Sequence, residues 1–531
     1  MAAADRVLPM VPAAGALPAR VACAAALLLV AMPAGAGDHY VSPSGVATWS
    51  ASADSRTPCS LDTANVRAQA GDTVLLQTGT YTTGIEPAGS GRAEAEPIAY
   101  RAVGPVVVAG TRYAIHLDGV SYVSVEGVDF RDCEQFLVIR TGHHNRISHC
   151  RFEGRRGESQ WMGSWVHESS THNRIQSCVF ARFGWVSGGD DKGVLLDIGY
   201  DDSTTDASDG NVVEDCAFHG GGHHLLQVCG RRNVVRRSYL HNEDWMPCGR
   251  TGGRCGNRGA MTIGPMAGQN LFEGNRFAFA GTPPDDNGAD GLVLRSPGNI
   301  VRRNLCYANG AAGIALASMQ VSRPEGNYVY ANTLYRNGYD AEVDSFWRGG
   351  ISFGNWGHGP MPGNVVINNV LHGNWSGAAI TGYGEAGPQQ IRDNWTEGDA
   401  PGFADDRLPE DPADASRPDL RLIAGSPCID RGVFLTRVSG TAGEGTVLKV
   451  EDAGFFYDGW GIPGEEGDLI QLEDQTTTTR IIRVDYEESV IALATPLAWR
   501  PGQGVSLAYR GAAPDLGALE YEGLPEPMPD R

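Results

Sequence analysis

Lysine is nearly absent: Lys192 and Lys449 are the only lysines among 42 basic residues in a chain of 531. Positive charge of any kind is outnumbered, and the formal net charge is −21. Such a chain has no electrostatic basis for general binding to nucleic acid or to anionic membrane. Long apolar runs are missing as well. The longest, Val21 to Met32, is about 12 residues, against roughly 20 needed to span a bilayer. No Cys/His spacing matches a zinc site, and no EF-hand, nucleophile elbow, phosphate loop or dinucleotide fingerprint is present. What is abundant is glycine, 71 residues without a collagen period, which points to many turns.

The short apolar run follows Arg6 and Arg20 and precedes Ala34-Gly35-Ala36. That order reads as a secretory signal over 1–36, so the expected location is secreted, periplasmic or cell-surface. Removal of the signal takes Cys23 with it and leaves ten of eleven cysteines. Cys248 and Cys255 are the best disulfide pair; the other cysteines read as buried small hydrophobes.

One pattern recurs down the chain: Asn, any residue, apolar, then a large apolar residue five positions on. It reads NRISHCRF at Asn145, NRIQSCVF at Asn173, NVVEDCAF at Asn211, NVVRRSYL at Asn233, NLFEGNRF at Asn270, NIVRRNLC at Asn299, NYVYANTL at Asn327 and NVVINNVL at Asn364, with weaker copies at Val123 and Gln389. Spacings from Val123 are 22, 28, 38, 22, 37, 29, 28, 37 and 25, so one rung needs 22 residues and the rest is inserted loop. The sixth position runs Cys150, Cys178, Cys216, Ser238, Asn275, Asn304, Asn332, Asn369, Asn394. Identical amides repeating at one position suit a stack of strands about 4.8 Å apart. Period-two alternation of β-branched residues excludes a helical repeat. The expected fold is all-β, a right-handed parallel β-helix or solenoid.

The flanks agree. Residues 37–71 should cap the N-terminal end with a short helix over Ser60 to Ala70, and the solenoid should run over 72–399. Residues 400–432 and 511–531 read as connector and closing segment. Residues 433–510 have their own strand alternation and read as an inserted small β-barrel, separable from the solenoid. YVSPSG at Tyr40, AGDTVLLQTGTY at Ala70, the Asn repeats, GSPCIDRG at Gly425 and APDLGALEYE at Ala513 together resemble the pectate-lyase-like superfamily. Its members include lyases, hydrolases, epimerases and noncatalytic surface proteins, so the resemblance implies the fold and leaves the activity open.

Ligands of such a solenoid lie along a groove beside one strand column, walled by long insertions. Aligning KGVLLDI at Lys192, GHHLLQV at Gly222, RGAMTIG at Arg258 and DGLVLRS at Asp290 turns Leu196, Leu226 and Leu294 inward and Asp197, Gln227 and Arg295 outward. Lys192, His223, Arg258 and Asp290 then form a second outward column. Lys192 is the one lysine of the solenoid, and lysine can lose its proton and act as a base where arginine cannot. The aspartates Asp190, Asp191 and Asp290 offer hard oxygen ligands for Ca²⁺. Arg231, Arg232, Arg236, Arg237, Arg250, Arg254 and Arg258 invert the local charge around His241 and Trp245, a combination suited to carboxylated or sulfated sugars.

Three functions are compatible with these residues. The first is a polysaccharide lyase acting on a uronate-containing polymer, with Lys192 or His223 as base, Arg258, Arg295 or Ca²⁺ neutralising the carboxylate, and Asp197, Gln227, His241, Trp245 and Arg295 binding substrate. The second is a glycoside hydrolase using Asp197 and Asp290. The third is a noncatalytic surface β-helix that binds glycans. In each the expected partner is an acidic polysaccharide, with no nucleic acid, no membrane span and a monomeric chain.

Overall fold

The computed structural model describes residues 36–154, 162–183, 193–221, 223–242, 258–281, 288–340, 343, 345–355, 357–375, 379–383, 386–396, 398–408 and 417–523. The signal reading over 1–36 thus lies almost wholly outside the described residues, as do Cys248 and Cys255. Helix Leu61–Arg67 opens on Ser60, whose side chain accepts from the Thr63 N–H at 3.1 Å. It is the one α-helix among the described residues. Strand Asp38–Val41 pairs in parallel with Thr73–Tyr81, which pairs with Ile98–Ala109.

From there the chain winds as a right-handed parallel β-helix. A ten-stranded parallel sheet runs from Tyr113–Asp118 to Ile380–Tyr383 and forms the first column. The second column holds the strands that begin each repeat, such as Arg174–Gln176 and Ile300–Arg302. The third holds the strands that end it, such as Val179–Phe183 and Leu305–Tyr307. Early on, Ile98–Ala109 spans both columns without a break, pairing with Val123–Glu126 and with Asp129–Arg131. From Val123 onward one residue per rung breaks the strand by adopting positive φ: Gly127, His149, Ser177, Asp215, Arg237, Gly274, Arg303, Ala331, Asn368 and Asp393. For a non-glycine residue that conformation costs about 1–2 kcal/mol.

The inward residue after each such corner is the sixth position of the repeat, and its contacts offset the cost. Asn304 shows the pattern. Its Oδ1 accepts from both the backbone N–H and the Nδ2 of Asn275, at 2.9 and 3.1 Å, and its own Nδ2 donates to the Phe272 carbonyl at 2.9 Å. Asn332, Asn369 and Asn394 continue the ladder. Toward the N-terminus it passes to Ser238 and Cys216 without a gap. The first-position asparagines, Asn145 to Asn364, form a second ladder that Gln389 closes. Asn309, Asn337 and Asn374 form a third. Between the ladders the interior is apolar, with Phe130, Phe152, Phe180 and Phe218 stacked at 4.7–4.9 Å. The cysteines among the described residues are all buried and unbridged.

Two of the three outer faces are covered. Strands Thr436–Arg437, Gly504–Leu507, Leu469–Leu472, Thr478–Asp485, Val490–Trp499 and Gly443–Lys449 form an antiparallel sheet, with a bridge between Val438 and Val450 joining its two ends. This barrel does not stand apart from the solenoid as expected from its alternation. Its core is continuous with the outward residues Val212, Val234, Leu271, Ile300 and Val365 of the second column. Arg302, 1% exposed, crosses the junction to Asp468 with two bonds of 2.7 and 2.5 Å, and its Nε donates to Glu273 at 2.8 Å. Glu465 of the barrel likewise takes Arg174 and Arg236. The closing segment covers the third column, where Leu420 and Ala518 pack on Tyr239, Leu305 and Tyr307.

Asp468→Ala should destabilise the whole chain by about 3–5 kcal/mol, because it strands a buried guanidinium. Chemical denaturation measures this. The double variant Asp468→Ala, Arg302→Met should recover most of the loss, and a cost below about 1 kcal/mol for the single variant would show that the barrel is a loosely held appendage.

Candidate functional site

The outward face of the first column is the one left over. At its C-terminal rungs it is apolar and covered: Trp347 lies over Gly354, whose missing side chain makes the room, and packs among Val293, Ala315 and Ala317. Over the middle rungs a cleft of about 380 Å³ opens, lined by Met162, Val194, Tyr200, Asp201, Asp202, His223, His224, Gln227, Met261, Ile263 and Arg295.

Strand register fixes who stands beside whom. Leu196 pairs with Leu226, which pairs with Ala260, which pairs with Leu292. The alignment expected from sequence therefore slips by two residues after the second rung. A slip of two preserves alternation, which is why period-two reasoning cannot detect it. Asp197 and Gln227 do stand side by side, but their row continues to Met261 and Val293. Arg295 lies one outward position further along, next to Ile263, with its N–H bonded to the Thr262 carbonyl at 3.0 Å. At the other end, His224 and not His223 pairs with Arg258.

His223 lines the cleft, stacked on His224 with ring centroids 3.7 Å apart, and its N–H donates to the Gly193 carbonyl. Gln227 and Arg295 line it too. Arg258 is buried behind this layer, with Nε 3.9 Å from Asp290. Asp290 accepts from the Ala312 N–H at 3.1 Å. Asp197 faces outward by alternation yet is wholly buried, contrary to a solvated column, because the turn that follows it folds over the sheet. His241 belongs to the third column, stacked on Tyr239 at 3.9 Å, and does not line the cleft. Lys192, Asp190, Asp191 and Trp245 lie outside the described residues.

The arginine cluster around His241 also divides. Arg236 points from the second column into Glu214 and into Glu465 of the barrel, and Arg237 into Glu214 and Asp215 of the neighbouring rung. The acidic loop is stapled to the backbone in the same manner. Asp206 accepts from the Glu168 and Ser169 N–H groups and Asp209 from Arg231 N–H. Among the described residues no group of three or more His, Cys, Asp or Glu is placed to hold a metal ion. Asp290, the one described member of the expected calcium set, has the Arg258 Nε 3.9 Å from its carboxylate.

His167, Tyr200, Asp201, Asp202 and His224 were not among the site residues expected from sequence. His167 sits below the cleft, its Nε2 3.5 Å from Asp197 Oδ2. The available signal was alternation itself: in SWVH, Trp165 and His167 take the outward positions of the same column. Burial raises the carboxyl of Asp197 above the usual range despite His167, and burial together with neighbouring Asp202 raises that of Asp201.

A family model described as right handed beta helix region matches residues 200–394. The chain is a right-handed parallel β-helix protein. A second model, chondroitinase B, matches residues 58–188 of this β-helix protein. Among solved structures, it is similar to pectate lyase Pel9A at 15% identity, over 91% of this chain and 96% of that one, with a TM-score of 0.45. It is similar to the PL6 family alginate lyase AlyGC at 16% identity, over 67% and 51%, TM-score 0.42. The GH136 lacto-N-biosidase from Eubacterium ramulus follows at 12% identity, over 67% and 67%, TM-score 0.43. No curated protein matches the chain. Among the described residues no helix is long and apolar enough to cross a membrane.

A buried carboxyl held up by desolvation makes the fold lose stability as pH rises from about 4 through the folded-state pKa of that group. Asp197→Asn should remove this loss. The melting temperature of the variant relative to the native chain should therefore increase between pH 4 and pH 8. A difference that stays constant with pH would show that Asp197 does not titrate in this range.

Proposed function

We propose that this β-helix protein is a polysaccharide lyase that cleaves a uronate-containing polymer by β-elimination in the cleft over the middle rungs. One observation carries the reading: the cleft brings together a guanidinium, Arg295, and an imidazole, His223. β-Elimination needs a base for the proton α to the carboxylate and a cation that neutralises that carboxylate and so acidifies the proton. Arg295 supplies the cation from the cleft wall. Arg258, buried against Asp290, supports the wall from behind. The base is Lys192 or His223. The chondroitinase B model match supports the same class. Asp197 and Asp290, which a hydrolase would use, do not line the cleft. The protein acts as an exported monomer on acidic polysaccharide outside the cell or at its surface.

Purified polyuronates incubated with the protein should develop the ultraviolet absorbance of unsaturated ends. Arg295→Ala should lower kcat/KM by about 10²-fold, with unchanged melting. Lys192→Ala and His223→Ala separate the two bases, since loss of the true base costs about 10²-fold or more. Near-native turnover of Lys192→Arg assigns the base to His223. A chelator arm tests calcium: loss of activity restored by Ca²⁺ would show that the reaction needs the ion, and Asn variants of Asp190, Asp191 and Asp290 test whether those residues hold it. Reducing ends without the absorbance would make the protein a hydrolase, and binding without either product a glycan-binding protein.

A further inference from the structure

Beneath the cleft lies a group of titratable side chains that the elimination as described does not use. Trp165 pairs with Asp197 and Val166 with Ile198, which carries His167 alongside Gly199. The imidazole of His167 reaches Asp197, with Nε2 3.5 Å from Oδ2. Trp165 stacks on it at 5.5 Å, and the edge of Tyr200 closes the other side at 5.8 Å. The contacts of Asp197 are all long: 3.5 Å to His167 Nε2, 3.5 Å to Gln227 Nε2 and 3.8 Å to Cys229 Sγ. A carboxyl that is wholly buried with no short hydrogen bond is costly when ionised.

From Gly199 the chain turns out of the sheet and sets Tyr200, Asp201 and Asp202 on the rim of the cleft. Asp201 is pinned there by its own backbone. Its carbonyl packs against Gly264, where φ is +113° and a Cβ would come within 3.0 Å. Ile263, just before that glycine, has Arg295 as its neighbour on the next strand, about 4.8 Å along the axis. The turn of Asp201 thus reaches Gly264, two rungs beyond its own strand, and Arg295 lies one rung further along the same cleft.

We propose that Asp201 is the general acid of the elimination and that His167 and Asp197 are a positioning pair that sets its proton affinity from below. The proposal rests on the lyase reading. The base takes the C5 proton, and the C–H electron pair becomes the C4–C5 double bond. The C4–O bond breaks, its electron pair passes to the leaving oxygen, and that oxygen takes the proton of Asp201. Asp201 is left ionised and recovers a proton from water. The groups facing Asp201 are Asp202 on its own turn, His167 and Asp197 from below, and Arg295, His223 and His224 across the cleft. Burial and Asp202 raise the carboxyl of Asp201 above the usual range, while His167 acts in the opposite sense.

The test uses two substrates: a polyuronate, and a synthetic uronate with fluoride at C4, whose leaving group needs no proton. Asp201→Asn should lose about 10²-fold or more on the polymer and only a few-fold on the fluoride. Equal losses on both substrates would overturn the role of general acid. Absence of unsaturated product from the native protein with either substrate would remove the lyase reading and this proposal with it. His167→Gln tests the positioning pair. Loss of the His167 ring should move the alkaline limb of the kcat profile to higher pH and leave the acid limb in place. An alkaline limb that stays or moves down overturns that role, and melting curves establish that each variant is folded.

Discussion

The corner between the second and third columns is the constraint on which the rest of this molecule depends. One residue per rung takes a backbone conformation that L-residues avoid, and most of those residues are not glycine. The conformation persists because the next side chain, an asparagine or its smaller substitutes, joins the corner to the rungs above and below. Each amide both donates and accepts, so no buried polar atom is left to offset the gain. The ladder therefore fixes strand register at every turn, and register in turn decides which outward residues meet.

The three outer faces then follow different courses. The second face carries valine, leucine and isoleucine outward and is sealed by the barrel; the third carries tyrosines and is sealed by the closing segment. Only the first remains for ligands, and its C-terminal rungs are closed by Trp347. What is left is a short stretch of polar outward residues with loops standing over it. The location of the cleft is thus a consequence of what the other faces bury.

Much of this was legible in the sequence, because a solenoid repeats its own rule. The Asn275 to Asn394 column, the interior apolar positions and the rung length could all be read directly. The third ladder, Asn309, Asn337 and Asn374, stands at a constant offset from the repeat and was open to the same reasoning. The first column was harder. Its strands carry no invariant residue, and their distance from the repeat varies with the inserted loops, so Arg258, Asp290 and Arg295 were placed one outward step off relative to Asp197 and Gln227. Burial of Asp197 was not legible at all, since it depends on a turn folding back over the sheet. His241 looked close to the cleft along the chain, but a rung turns through three faces in 22 residues, and nearness in sequence is not nearness in space.

The Arg302–Asp468 pair joins residues 166 positions apart. A solenoid can otherwise assemble vectorially, each rung templating the next as the chain emerges. At the rung of Arg302 that process meets a guanidinium whose early partner is Glu273 alone, because Asp468 has not yet been made. Final consolidation of the middle rungs waits for the barrel, and the rungs that wait are the ones that form the cleft. The last contacts of those rungs thus form only once the distant C-terminal part of the chain has been made.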